Sequence, residues 1–414
     1  MLTFKNYMVE ATAASKNTHM EHLEDAILNQ GVNGTRDAIN FLRALRDMLA
    51  GTAKSRVNVT VKWDGAPAVF AGIDPSDKKF FVAKKGIFNK NPKVYKTNAE
   101  IDADIASGDL NVKMKLALAE LPKLGIKGVV QGDFLYAKDD LKVVDIEGEP
   151  HITFHPNTIV YTVPKDSDLG RQILGSKVGV VWHTTYRGSS FEEMSASFGE
   201  EIASGLKTIK SAWSVDASYK DVSGSANFTK KETEKVTALL SKAGKLFNTI
   251  KKDTLNGISG NEDTLVRIKT FVNKKVRAGE RIKNPKTFVK ELEAYIADIY
   301  DKEADKRKTE KGKAAQRVKK DVTLEYFRKT PSAQIVAVFE LYNIIIDAKH
   351  MIISKLDKAK TIGTFLRTAD GYQVTEQEGF VAIDKMGKNA VKLVDRLGFS
   401  NANFSDKYIK GWQK

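Results

Sequence analysis

The hydrophobic period of this chain changes twice, and that constrains its fold more than any other feature. From Val57 to about Val163 the apolar residues come in short runs bounded by turn residues. Val57, Val59 and Val61 alternate with polar neighbours, and similar runs follow at Phe80 to Ala83, Val129 to Tyr136, Lys142 to Ile146 and Ile159 to Val163. Val178 to Trp182 adds another. Such runs predict short strands in an antiparallel sheet. From about 226 to 365 the spacing becomes helical: Val236, Leu239, Leu240 and Ala243, then Leu265, Ile268 and Phe271, then Phe288, Leu292, Tyr295 and Ile296. Ile335 to Leu356 is the most apolar of these helices and the natural anchor of the block. Strand character returns at Gly379 to Ile383 and Ala390 to Val394, which read as a hairpin. Near the N-terminus, Thr35 to Leu49 carries Ala38, Phe41, Leu42, Leu45 and Leu49 on one helical face. The expectation is an α+β protein whose sheet core is interrupted by a large helical insertion. Its parts are an N-terminal helical segment over 1–55, the first part of the core over 56–225, the insertion over 226–365 and the end of the core over 366–414.

Composition narrows the class. The 414 residues are 42% hydrophobic, enough for two or three domains with a substantial core. There is no cysteine, which excludes disulfides, thiolate metal sites and a cysteine nucleophile, and fits a cytoplasmic setting. The longest apolar run, Ile335 to Ile346, contains Glu340 and Asn343, so no membrane partner is expected. A net charge of +15 favours a polyanionic partner, nucleic acid first. Cations crowd between Lys302 and Lys320, including Lys306, Arg307, Lys308, Lys311, Lys313, Arg317 and Lys319, and this stretch is the expected phosphate-backbone surface.

The chemistry concentrates in Lys62-Trp63-Asp64-Gly65-Ala66-Pro67, which follows the first strand. A lysine at a strand end, with a carboxylate two positions on and a turn after it, has the makings of a nucleophile. An amine attacks only when neutral, a state that burial or neighbouring cations favour. K-x-D-G is also what an ordinary charged hairpin looks like, so its meaning depends on partners elsewhere.

Those partners are present and in order. The chain resembles the covalent nucleotidyltransferase superfamily of ATP-dependent RNA and DNA ligases and mRNA capping enzymes. In that family a K-x-(D/N)-G lysine attacks the α-phosphate of ATP. The resemblance implies an antiparallel-sheet, ATP-grasp-like ligase adenylation core with Lys62 as the covalent site and with Asp64 and Gly65 in its loop. Lys84-Lys85-Gly86 stands where the family has a basic residue followed by Gly or Ser, with lysine for the usual arginine. Gly132-Asp133 stands for the strand-ending Gly-Glu whose carboxylate holds the ribose, with the shorter Asp133. Phe154 is the best-placed aromatic to stack on the base, with Tyr136 the other choice. Glu378-Gly379-Phe380-Val381 matches the fourth motif, whose glutamate supports the metal. Lys392 matches one lysine of the fifth, and Val394 departs from the second. The implied cofactors are ATP and Mg²⁺, with Glu378 and Asp133 as hard oxygen ligands.

The resemblance covers about 55–165 and 375–400, and leaves no room after Lys392 for the OB domain that many DNA ligases carry. That favours an RNA ligase that seals 5′-phosphate to 3′-hydroxyl ends through lysyl-AMP. The chain is also similar to ligase-like proteins of large tailed phages, which would place it in the host cytoplasm. Two alternatives remain open. One is another nucleotidyl transfer, to DNA nicks or to a protein. The other is a nucleic-acid-binding or virion-associated protein with a decayed site, kept alive by Asp133, Lys85 and Val394.

Overall fold

A computed structural model describes residues 21–52, 58–146, 148–198, 200–217, 227–358, 363–368, 371–374, 379–383, 390–398 and 407–411. The fold is mixed α+β. Helix α1 (Ala26–Leu49) is kinked at Gly31 and buries Ala38, Phe41, Leu42, Leu45 and Leu49, the face expected from its spacing. Then come β1 (Asn58–Lys62), β2 (Ala68–Ile73) and β3 (Phe80–Ala83), helices α2 (Asn98–Asp104) and α3 (Asp109–Glu120), and strands β4 (Val129–Ala137), β5 (Lys142–Ile146), β6 (Glu149–Phe154) and β7 (Ile159–Pro164). Helix α4 (Asp168–Gly175) leads to β8 (Val178–Arg187), β9 (Ser195–Phe198) and β10 (Ala212–Asp216). The helical block follows: α5 (Lys230–Thr249), α6 (Lys252–Ser259), α7 (Glu262–Arg277), α8 (Pro285–Asp305), α9 (Glu310–Lys329) and α10 (Ser332–Asp357). The chain returns to strand as β11 (Gly363–Thr368), β12 (Gly371–Val374), β13 (Gly379–Ile383) and β14 (Ala390–Leu393).

Among the described residues these strands form sheets of six (β10-β8-β4-β2-β3, with β9 on β8), five (β12-β11-β7-β6-β5) and three (β1-β13-β14). Pairing is antiparallel except between β8 and β10, which run parallel. One face of the six-stranded sheet, with Val69, Val82, Phe134 and Trp182, packs on α2 and α3 through Ile101, Met114 and Ala117. On its other face Leu135 and Val181 meet Ile152, Phe154 and Tyr161 of the five-stranded sheet. The site forms at the edge of this packing, where β4 and β8 meet the turn after β1.

The three-stranded sheet belongs to a different core. Val61, Phe380 and Leu393 lie in one register row across β1, β13 and β14, and all three pack into the helical block. That same core contains α1, so the N-terminal helix joins the block formed by α5–α10. Sequence order alone does not show this, because the contacts are between helices far apart in the chain. The row-to-row alternation of a strand then puts Lys62, and the pair Val381 and Lys392, on the face turned away from the helices. The cation-rich stretch forms the end of α8 and most of α9. Helix α9 buries only Gln316, Thr323 and Phe327.

Candidate functional site

Lys62 ends β1, and its Cα partner across the sheet is Gly379 of β13. Two rows further along, Val381 pairs with Lys392 of β14. Three pieces of sequence from opposite ends of the chain are therefore adjacent strands of one small sheet. Gly379 has φ +142°, and a side chain there would stand 2.4 Å from the Leu393 carbonyl oxygen. Only glycine lets β13 approach β14 this closely at that point. Glu378, the expected metal ligand, lies outside the described residues.

The turn after Lys62 is fastened from below. Asp64 is 4% exposed, and its carboxylate accepts from Asn157 Nδ2 (2.6 Å), Thr158 N (2.6 Å) and Ile159 N (2.7 Å). Its own N–H donates to Tyr161 Oη at 2.7 Å. Burial pushes this carboxyl above the usual carboxylate range, opposed by the three donors and by the Lys62 ammonium. These three donors come from Asn157 to Ile159, at the entry to β7, so Asp64, buried, sets the turn. The C-terminal stretch docks on the same loop: Gly411 N donates to Asn157 O at 2.6 Å. It carries the buried Lys410, whose ammonium is disfavoured by burial and supported by Asp64.

Gly65 rests on Asp133. A side chain at Gly65 would stand 2.4 Å from Asp133 Cβ, so the turn bearing Lys62 is in contact with the strand bearing the second carboxylate. Asp133 lies on β4 between Ala68 of β2 and Val181 of β8. Its side chain is 22% exposed, and its Oδ1 is 4.0 Å from His183 Nε2. His183 stands at a bulge in β8: Gln131 and Gly132 pair with Thr184 and Trp182, and His183 is the extra residue between them. Bulges re-aim side chains in this way. Burial, then the Lys62 ammonium, hold the His183 imidazole down to about 4, so it is neutral at physiological pH. Lys62, Asp64, Gly65, Asp133 and His183 thus make one cluster.

Other expected residues stand elsewhere. Lys84 extends from β3 in step with Val82, toward the helix-covered face, where its Nζ is 3.6 Å from Asp104 and 5.9 Å from the Tyr95 ring centre. Lys85 is exposed and begins a short 3-10 turn, Lys85–Phe88. Phe154 is 1% exposed, packed between Tyr136 (5.1 Å) and Tyr161 (5.4 Å). It is a core aromatic, with its ring enclosed and not offered to a base. Tyr136 is fully buried too. The half-buried aromatic at the cluster is Trp63, 5.0 Å from Tyr161.

His183, Asn157, Tyr161 and Lys410 are the members that sequence reading misses. His183 had a local signal, a histidine closing the apolar run Val178 to Trp182. The others are joined to Asp64 only by folding. As for a metal, no group of three or more His, Asp or Glu residues that could hold an ion occurs among the described residues. Asp133 offers one partly exposed carboxylate. That fits Mg²⁺, which commonly takes one or two protein carboxylates and fills its remaining positions with phosphate oxygens and water.

No curated protein and no solved structure matches the sequence. Residues 17–408, nearly the whole chain and every member of the cluster but Lys410, match a family model, and the chain belongs to that family, the family of unknown function DUF6267.

Proposed function

We propose that this protein is an ATP-dependent nucleotidyltransferase that forms lysyl-AMP at Lys62, and that it is a polynucleotide ligase with RNA as the favoured substrate. The observation that carries this reading is the contact of the turn after Lys62, through Gly65, with Asp133, and the placing of Lys392 two strands away on the same face as Lys62. Lysine, carboxylate and second lysine are the groups that covalent nucleotidyl transfer needs, and they come from three separate stretches of sequence.

In the proposed step the Lys62 amine, its ammonium proton lost to solvent, attacks the α-phosphorus of ATP. A P–N bond forms, the bond to the bridging oxygen breaks, pyrophosphate leaves with the electron pair, and the nitrogen loses a second proton to solvent or to the leaving pyrophosphate. Asp64 holds the lysine loop rigid through its three donors, which keeps the amine on a fixed line. Lys392 offsets phosphate charge. Asp133 holds either the ribose hydroxyls or the ion. Mg²⁺, when bound, would stabilise the charge on the leaving group. AMP then passes to a 5′-phosphate, and a 3′-hydroxyl displaces it.

Intact mass after incubation with ATP and Mg²⁺ tests the first step. One added AMP is expected on the wild type and none on Lys62→Ala. Adduct at wild-type level in Lys62→Ala would overturn the assignment. Sealing of end-labelled RNA against nicked duplex DNA then separates an RNA ligase from a DNA ligase.

A further inference from the structure

The α8–α9 hairpin carries the densest run of cations. Its lysines are partly spent on carboxylates: Lys313 pairs with Glu310 at 2.7 Å, Lys320 with Asp301 at 2.7 Å and Lys302 with Asp298 at 2.7 Å. A different basic feature lies between α1 and α5. These helices run antiparallel, since Arg46 Nη1 donates to Thr237 at one end while Arg36 lies in the same groove as Asn248 toward the other. Between them is an open groove of about 440 Å³.

Two arginines of α1 line it, and neither has an ion pair among the described residues, although the Arg36 guanidinium is near enough to Asp37 to favour its charged form. Arg36 Nη1 donates to Asn33 Oδ1 at 3.4 Å, and Arg43 Nη1 donates to Asn40 Oδ1 at 3.2 Å. The same Asn-x-x-Arg pair thus occurs twice at a seven-residue interval, on one helix face. Each amide orients a guanidinium without neutralising it, which leaves the other donors of the fork for a ligand. On the opposite wall Gly244 has no side chain, and the Arg43 guanidinium lies 3.4 Å from where its Cβ would be. Phe247, half-buried, lines the groove with Asn248. Lys242 and Lys245 are exposed on the same helix.

We infer that the α1–α5 groove binds the phosphate backbone of a single-stranded polynucleotide through Arg36 and Arg43. This deepens the ligase reading and takes its substrate class from it. Seven residues of helix advance about 10 Å. A stacked strand advances about 3.4 Å per nucleotide, so the two guanidiniums meet phosphates roughly three nucleotides apart. Forked guanidiniums beside an aromatic ring are the pairing that single strands use, phosphates on the cations and a base on the ring. A small anion would engage one guanidinium and leave the second idle.

The test is fluorescence anisotropy with a labelled, mixed-sequence single-stranded RNA of about twenty nucleotides, over a series of salt concentrations. Arg36→Gln combined with Arg43→Gln should weaken binding roughly tenfold at low salt. It should also make the plot of log K against log salt shallower by about 1.4, two contacts at about 0.7 each. Arg36→Lys with Arg43→Lys keeps the charge and should keep most of the slope. Lys313→Gln with Lys320→Gln should bind as the wild type does. An unchanged affinity and slope in the Gln pair overturns the groove, and so does a wild type that binds no RNA. AMP uptake by Lys62 is measured alongside, and failure there counts against the ligase reading while RNA binding still judges the groove.

Discussion

Lys62 and Gly379 face one another as partners across the antiparallel pairing of β1 with β13. The helical block, inserted between β10 and β11, supplies the floor on which that pairing rests. Val61 and Phe380, the next row, are packed into its core. The candidate nucleophile therefore sits on a sheet held from behind by the helices, while its loop is held from the front by Asp64 and the β6–β7 loop. Both supports are needed to fix one side chain, and each gives a test.

Asp64→Ala should remove the front support. It leaves the Thr158 and Ile159 N–H groups buried without their acceptor, at about 1–3 kcal/mol each. A loss of roughly 3–5 kcal/mol in urea unfolding is expected on that basis. AMP uptake should fall with it even where the fold survives, because Lys62 is two residues away. Asp64→Asn keeps one acceptor oxygen and should cost less than half as much. Equal stability for Asp64→Ala and the wild type would mean the three hydrogen bonds are not the fastening.

How much of this could be read from the residues depends on how local the cause is. Strands β1, β3, β4, β5, β7 and β8 are legible because short apolar runs between turn residues are written in neighbouring positions. The Gly379–Ile383 and Ala390–Leu393 hairpin was legible for the same reason. The contact between Gly65 and Asp133 follows the motif order but has no local signal. Phe154 shows the limit from the other side. An aromatic at the end of a strand reads alike whether it faces a ligand or the core, and only the packing of Tyr136 and Tyr161 around it decides. Lys84 is a related case: its strand parity puts it with Val82, on the side where Asp104 lies 3.6 Å away. The division of α1 from the helical block also failed, because helix-to-helix packing is not written in chain order.

Phe154→Ala should accordingly be a stability variant. Truncating a fully buried phenylalanine costs about 3–5 kcal/mol. Phe154→Leu should cost less and leave the KM for ATP in AMP uptake within about twofold of wild type, since the ring does not meet the nucleotide. A tenfold rise in KM with little change in stability would restore the base-stacking role.

Acid stability should report on His22. Its Nδ1 is enclosed without a hydrogen-bond partner. Burial, then the Lys349 and Arg396 cations, hold its imidazole well below the ordinary histidine value. The unfolded chain takes up a proton near pH 6.5 and the folded chain does not, so stability falls as pH falls below that value. The slope from this one group is about 1.4 kcal/mol per pH unit. His22→Gln should flatten the stability profile between pH 6.5 and 5 by that amount. A profile of unchanged slope would show that His22 is not held neutral.

The rear support depends on an ion pair removed from water. Lys349 of α10 is 0% exposed, and its Nζ donates to Glu24, 1% exposed, at 2.7 Å. Next to it Asp25 accepts from Arg396 at 2.8 Å and from the Tyr342 hydroxyl at 3.0 Å. These contacts tie the segment before α1 to α10 and to the chain just beyond β14. The same segment runs beside β14, where Lys392 N donates to the Glu21 carbonyl at 3.2 Å. Lys349→Met leaves the Glu24 carboxylate buried beside an apolar side chain, and breaking such a pair costs about 3–5 kcal/mol. Glu24→Met added to it removes the stranded charge, so the double variant should recover most of that loss. Because the segment braces β14, Lys349→Met should also slow AMP uptake, and the double variant should restore the rate along with the stability. A double variant no more stable than Lys349→Met would mean that the pair does not act as a unit.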